Sequence, residues 1–175
     1  KGPAQMKDLR LVEIRDGSIG VFTRPQGAKG GRGKIGFTRL ASLQDLTLRA
    51  VEEAPLLDQF LDEEWGGSNE IHVLANGTLG VLGHIARFDE RGDRHYYPMV
   101  FALDPETGRY SNMKIIAERA DFLAGPAKRP DLADVVFSGG LIRRGDGTAD
   151  LYAGISDAEA QKLAIPDPFA DLEIG

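Results

Sequence analysis

Apolar and polar positions alternate in short runs along most of this chain, and turn-forming residues cut the runs at regular places. A period of two reads as β-strand, because successive side chains point to opposite faces. The pattern predicts strands at residues 9–14, 19–24, 34–39 and 46–52, then 70–74, 79–87, 95–103 and 112–118. A third group covers 135–137 running towards 142, then 150–155 and 161–165. Residues 55–64 break the rhythm. Leu57, Phe60 and Leu61 stand at helical spacing there, which reads as a short helix or an irregular insertion.

Three of the turns are alike: Asp16-Gly17, Asn76-Gly77 and Asp146-Gly147, each between apolar runs. Such dipeptides predict tight hairpins with primed turns, which need positive φ at both central residues. The turn glycines are 60 residues apart, then 70. A β-sheet unit repeated at that size points to a propeller. The expected fold class is all-β, a β-propeller with about three blades near residues 9–54, 66–120 and 133–168, in one partial domain over 1–175. Propellers close with roughly four to eight blades. The expectation is therefore the C-terminal part of a longer propeller, with a complete small β-domain as the alternative. The acidic tail beyond Pro166 and Pro168 is expected to be loose, or to close the ring.

A net charge of −6 with a pI near 5.1 argues against nucleic acid or an anionic membrane as partner, since both need a basic footprint. The chain has no cysteine, which removes disulfides, thiol catalysis and cysteine-bound zinc. No apolar run reaches membrane-spanning length. A cytoplasmic location is the expectation, although an N-terminal segment outside these residues would alter it.

Some motifs carry little. Residues 31–36 fit GxGxxG, but they fall between strands without the βαβ context that makes the pattern bind a dinucleotide. A phosphate loop fails because Ala28 stands at its first glycine and Ile35 follows its lysine. Asn76-Gly77-Thr78 has the form of a glycosylation sequon, and hairpin chemistry accounts for it. His72, His84 and His95 lack metal-ligand spacing, so no metal or cofactor is implied.

The repeat itself supplies the candidates. Seven residues after each turn glycine stand Arg24, His84 and Gly154. In a propeller, equivalent strand ends converge on an axial cavity. Arg suits forked recognition of phosphate or carboxylate, and His exchanges protons near neutrality. A second cluster runs Trp65-Gly66-Gly67-Ser68-Asn69-Glu70, echoed by Phe137-Ser138-Gly139-Gly140. Its glycines would let backbone approach a ligand, and its aromatics would stack on a sugar. Tyr96, Tyr97 and Asp157 add hydroxyl and carboxylate groups. Each also has a structural reading: a local ion pair for Arg24, a turn exit for His84 and a core role for Trp65.

At these residues the chain resembles the bacterial family of domain of unknown function 1861. More distantly it is similar to glycoside hydrolase family 130, the five-bladed β-mannoside phosphorylases and hydrolases. The likeness runs from about Leu9 to Pro168. It implies phosphate binding by Arg24 in Thr23-Arg24-Pro25, by His84 after Gly83, and by Tyr96. It also implies sugar binding by Asp157 at the end of residues 152–157. Two departures stand out: no lysine near Glu64-Trp65 matches the family's phosphate-contacting Lys, and no Asp-Pro-Arg segment supplies the catalytic acid, which is expected upstream of Lys1.

The sequence thus points to a carbohydrate-active propeller, a glycosidase or glycoside phosphorylase of β-mannosides or related sugars. Arg24, His84 and Tyr96 would face the nucleophile, and Asn69, Glu70, Asp157 and Trp65 the sugar. The partners would be a sugar or oligosaccharide and inorganic phosphate. The alternative is a non-catalytic propeller that binds a glycan or a protein.

Overall fold

The computed structural model describes residues 2–172. The architecture is nearly all β, with ten strands in two sheets. The first sheet has three antiparallel strands, β1 (Met6–Glu13), β2 (Ile19–Pro25) and β3 (Gly36–Leu40). The second holds β4 (Trp65–Val73), β5 (Leu79–Phe88), β6 (Arg94–Leu103), β7 (Lys114–Ile115), β8 (Asp134–Arg143), β9 (Thr148–Ile155) and β10 (Glu159–Pro166). Its order is β10-β9-β8-β6-β5-β4, with β7 also on β6. The expected second and third blades are therefore joined. A short parallel pairing, His95 with Asp134 and Tyr96 with Val135, links them.

All three predicted hairpins form, but with a different turn. Only the glycines are left-handed, at φ 84° for Gly17, 88° for Gly77 and 84° for Gly147. The ladder closes one residue later, Ile14 N–H to Ser18 O at 2.8 Å and Leu74 N–H to Thr78 O at 2.9 Å. These are three-residue loops ending in a glycine bulge, not primed two-residue turns. The residue before each glycine stays right-handed because its side chain is engaged. Asp16 accepts from Ser18, Asn76 from Thr78 and Asp146 from Thr148, each through both backbone N–H and hydroxyl. The primed geometry occurs instead between β9 and β10, where Ser156 (φ 52°) and Asp157 (φ 55°) are both left-handed.

The middle hairpin is apolar on both faces because it separates two cores. Leu79 and Val81 of β5, with Met99, Phe101 and Leu103 of β6, pack towards Phe22 and Phe37 of the first sheet. Leu82 and Val100 point the other way, onto Val136, Leu141, Leu151 and Ile155. A strand buried on both faces reads as a continuous apolar run, as residues 79–86 do.

Two further expectations are corrected. Residues 46–52 are not a fourth strand: α2 (Leu48–Glu53) forms there, after α1 (Gly27–Gly30) earlier in the chain. Thr47 caps α2 by accepting from Ala50 N–H at 3.1 Å, and Leu, Arg, Ala and Glu are good helix formers. Residues 55–64 are irregular. They bury Leu57 and Phe60 and touch β3 through a bridge from Leu56 to Gly36. The tail is not loose as far as Leu172, because Phe169 is fully buried against Leu74 and Leu151. Residues 173–175 lie outside the described residues. Among the described residues no helix is long and apolar enough to cross a membrane.

Phe169→Ala should therefore cost about 3 kcal/mol or more, the usual penalty for emptying a buried aromatic site. Urea denaturation of the two proteins checks it. A loss within about 0.5 kcal/mol, typical of a surface position, would mean that Phe169 is not packed as described.

Candidate functional site

The repeat places one irregularity in each first strand, and the one in β1 lines a cavity. In β1, Lys7 and Asp8 together oppose Arg24 between the pairs Met6–Pro25 and Leu9–Thr23. In β4, Asn69 is the extra residue between Ser68 and Glu70. In β8 it is Gly139, between Ser138 and Gly140. Bulges interrupt the pleat and re-aim side chains. Here they turn Asp8 and Asn69 towards the strand ends carrying Arg24 and His84.

The cavity has a volume of about 410 Å³. Arg24, His84, Tyr96 and Asp157 line it, with Lys7, Asp8, Arg94, Lys128 and Arg129 around them. Five cations thus face two carboxylates. Arg24 is almost wholly buried. Its Nε donates to Gly66 O at 2.6 Å, and its Nη1 to Asp8 Oδ2 at 2.9 Å. A guanidinium fixed at two points is preoriented for an anion. Lys128 Nζ lies 3.3 Å from Asp157 Oδ2. Arg94 and Arg129 both pair with Asp131.

His84 has no solvent exposure. Its ring lies between those of Tyr96 (5.8 Å) and Phe137 (4.6 Å). Phe137 is the register partner of Gly154, the third-copy equivalent of His84. His84 Nδ1 is 2.8 Å from the Asn69 side-chain oxygen, while Nε2 is buried with no partner among the described residues. Burial, then the positive fields of Arg24 and Arg10, push its pKa down to about 3. The imidazole is neutral at physiological pH.

The two glycines after Trp65 make room for these side chains. A Cβ on Gly67 would stand 2.6 Å from Arg24 Cδ and 3.1 Å from His84 Cε1. One on Gly66 would stand 2.2 Å from His84 O. The sequence reading had backbone approaching a ligand there. The structure shows backbone approaching Arg24 and His84.

The remaining predicted residues lie behind the cavity wall. Asn69 touches His84. Trp65 is buried, packs at a tilt against Phe88 with ring centroids 4.9 Å apart, and donates from Nε1 to Tyr96 Oη at 2.9 Å. Glu70 accepts from Leu141 N–H at 2.6 Å across the junction of β4 and β8, and does not line the cavity. Tyr97 points to the opposite face from Tyr96 and donates to Asp134, which with burial raises its pKa. Asp157 reaches the cavity on its left-handed turn. The fold holds that conformation through Ser156, whose N–H bonds Val135 O at 2.7 Å and whose Oγ donates to Ala133 O at 2.9 Å.

Sequence reasoning missed Lys7, Asp8, Arg94, Lys128 and Arg129. Asp8 had a signal, standing nine residues before Gly17 as Ser68 stands before Gly77 and Ser138 before Gly147. The others come from irregular segments and strand ends, which the repeat does not index.

The model of the protein family of unknown function DUF1861 matches residues 1–171, and the chain belongs to that family. Among solved structures it is similar to MPT-4, a mannose phosphorylase from Leishmania mexicana in complex with phosphate ion, at 37% identity and TM-score 0.88. That match covers 96% of this chain and 54% of the other. MPT-1, a GDP-Man-dependent mannosyltransferase from the same organism, is 34% identical with TM-score 0.83, over 97% and 54% of the two chains. A structure from glycoside hydrolase family 130 matches at 11% identity and TM-score 0.41, covering 93% of this chain and 67% of that one. None of the curated protein sequences matches. The chain thus spans about half the length of its Leishmania relatives.

The neutral state of His84 has a consequence for stability. An unfolded histidine titrates near 6.5, so between that pH and about 3 the unfolded chain binds the proton that folded His84 refuses. This contribution falls as pH drops through the window, by up to ~1.4 kcal/mol per pH unit. His84→Gln should flatten the loss of stability between pH 6.5 and 4 in denaturant titrations. Parallel pH profiles for the parent and the variant would contradict a neutral buried His84.

Proposed function

We propose that this chain forms the phosphate-binding wall of a carbohydrate-active β-propeller, a phosphorylase or glycosidase of β-mannosides or related sugars. The observation that carries the reading is the pairing of anchored, buried Arg24 with neutral His84 on one cation-rich cavity. A 37% identical mannose phosphorylase solved with phosphate supports it. Lys7 supplies a flexible cation at the rim, in place of the lysine lacking near Glu64-Trp65.

In this reading Arg24, His84 and Tyr96 hold the phosphate, and Asp157 binds the sugar hydroxyls opposite. Asn69 and Trp65 serve the site through His84 and Tyr96, and Glu70 through the β4–β8 junction. A phosphate oxygen bonds to the anomeric carbon as the glycosidic C–O bond breaks, and a carboxylic acid protonates the departing oxygen. Of the two carboxylates on the wall, Asp8 pairs with Arg24 and Asp157 with Lys128, so neither is assigned as that acid. In this reading the acid comes from the part of the intact propeller that corresponds to the half of the Leishmania relatives not matched by these residues.

One observation favours a second reading, transfer from a nucleotide sugar. An adjoining recess of about 400 Å³ shares Lys7, Arg24, Arg94 and Tyr96, and adds Arg32, Gln26, Trp65 and Phe88. Four cations and no carboxylate line it, a setting for a second phosphate. The mannosyltransferase relative is GDP-Man-dependent.

The test is product analysis of the intact protein on β-mannosides with and without inorganic phosphate, beside GDP-mannose with a mannose acceptor. Phosphate-dependent mannose 1-phosphate is the expected product. Phosphate-independent release means hydrolysis, and turnover only with GDP-mannose selects the second reading. No turnover on any of them leaves glycan binding. Arg24→Ala and His84→Gln should each lower kcat/KM for phosphate about 10- to 100-fold, the loss of one hydrogen bond to a charged partner. Unchanged turnover in both variants rules out the assigned anion site.

A further inference from the structure

A neutral imidazole carries one N–H, and its position decides whether His84 offers the cavity a donor or a lone pair. Three short contacts behind the ring settle the choice. The Asn69 side-chain amide lies 2.8 Å from His84 Nδ1 and 2.9 Å from Ser138 Oγ. Ser138 Oγ lies 2.8 Å from Gly83 O. All three must share the available protons, and Ser138 has only one.

If the amide oxygen faces His84 and Ser138, both donate to it. Ser138 Oγ and Gly83 O are then left in contact with no proton between them, and Nε2, buried and unpartnered on a ring that lines the cation-rich cavity, keeps a bare lone pair. With the amide turned end for end, Ser138 donates to Gly83 O, and the Asn69 amide donates one N–H to Ser138 Oγ and the other to His84 Nδ1. Every contact then has its proton, and the single imidazole proton sits on Nε2. The Nε2–H is then the one group left for a ligand, and buried polar groups favour the arrangement in which each of their mutual contacts carries a proton.

We propose that Asn69 and Ser138 are positioning residues that fix His84 as the Nε2–H tautomer, making a neutral imidazole the hydrogen-bond donor to an anion in the cavity. Only the identity of that anion rests on the phosphate reading above. The pair bridges two repeat units: Asn69 is the bulged residue of β4, and Ser138 opens the equivalent bulge of β8. The tautomer is thus set where β4 and β8 meet. A neutral donor also adds no charge to a wall that already holds five cations.

The experiment is long-range 1H–15N NMR on the intact protein labelled at histidine, with the His84 signals identified by their loss in His84→Gln. The expected spectrum has protonated Nε2 and bare Nδ1 at pH 7; protonated Nδ1 with bare Nε2 overturns the proposal. Asn69→Asp exchanges the donor for an acceptor of the same size, so Nδ1 should become protonated in that variant. If it stays bare, Asn69 does not set the tautomer. Adding inorganic phosphate separates the two readings. An Nε2–H signal that phosphate leaves unmoved keeps the tautomer and removes the phosphate site, whereas Nδ1–H in an enzyme with phosphate-dependent turnover does the reverse.

Discussion

The site depends on one missing side chain. At Gly67, β4 passes so close to Arg24 and His84 that a single added carbon would meet both. Arg24 comes from β2 in the first sheet and His84 from β5 in the second, so the two converge only across backbone. Their anchors follow from the same closeness. Gly66 O receives the Arg24 guanidinium, and the bulge two residues further on places Asn69 behind the His84 ring.

That arrangement separates two roles that share a type of chemistry. Arg24 brings permanent charge and is held by Asp8, whose carboxylate offsets part of it. His84 brings direction without charge, because burial between two aromatic rings and beside Arg24 makes a second proton too costly. The cavity therefore combines a fixed, buried Arg24 and His84 with the lysines Lys7 and Lys128. The left-handed Ser156–Asp157 turn completes the wall. It is an unfavourable backbone conformation for non-glycine residues, held by the hydrogen bonds Ser156 makes to Ala133 and Val135.

The repeat is expressed most strictly at the hairpin loops, which do not line the cavity. The three hairpin loops share their glycine, their Asx-type side-chain bonds and their register. At the opposite strand ends the copies diverge into Arg24, His84 and Gly154, and into Asp8, Ser68 and Ser138. Phe137 pairs with Gly154 in register, and the third copy contributes its ring to His84 where the second contributes the titratable group.

Local chemistry alone determined most of the strands, the three loop positions and the equivalence of Arg24 with His84, because period-two alternation and Asp-Gly or Asn-Gly turns act within a few residues. It also carried the family likeness, since Arg24, His84, Tyr96 and Asp157 lie in continuous runs. Tertiary structure decided what depends on contacts between distant segments. It assigned residues 48–53 to a capped helix, buried Phe169 and left only glycine left-handed in the hairpins. It placed Trp65 and Asn69 behind the cavity and Glu70 in a strand junction. It also brought Lys128 and Arg129 to the cavity that Arg24 lines, across more than a hundred residues of chain. The physical reason is that alternation tells which side chains share a face of one strand, while a cavity is built where strands of different sheets meet.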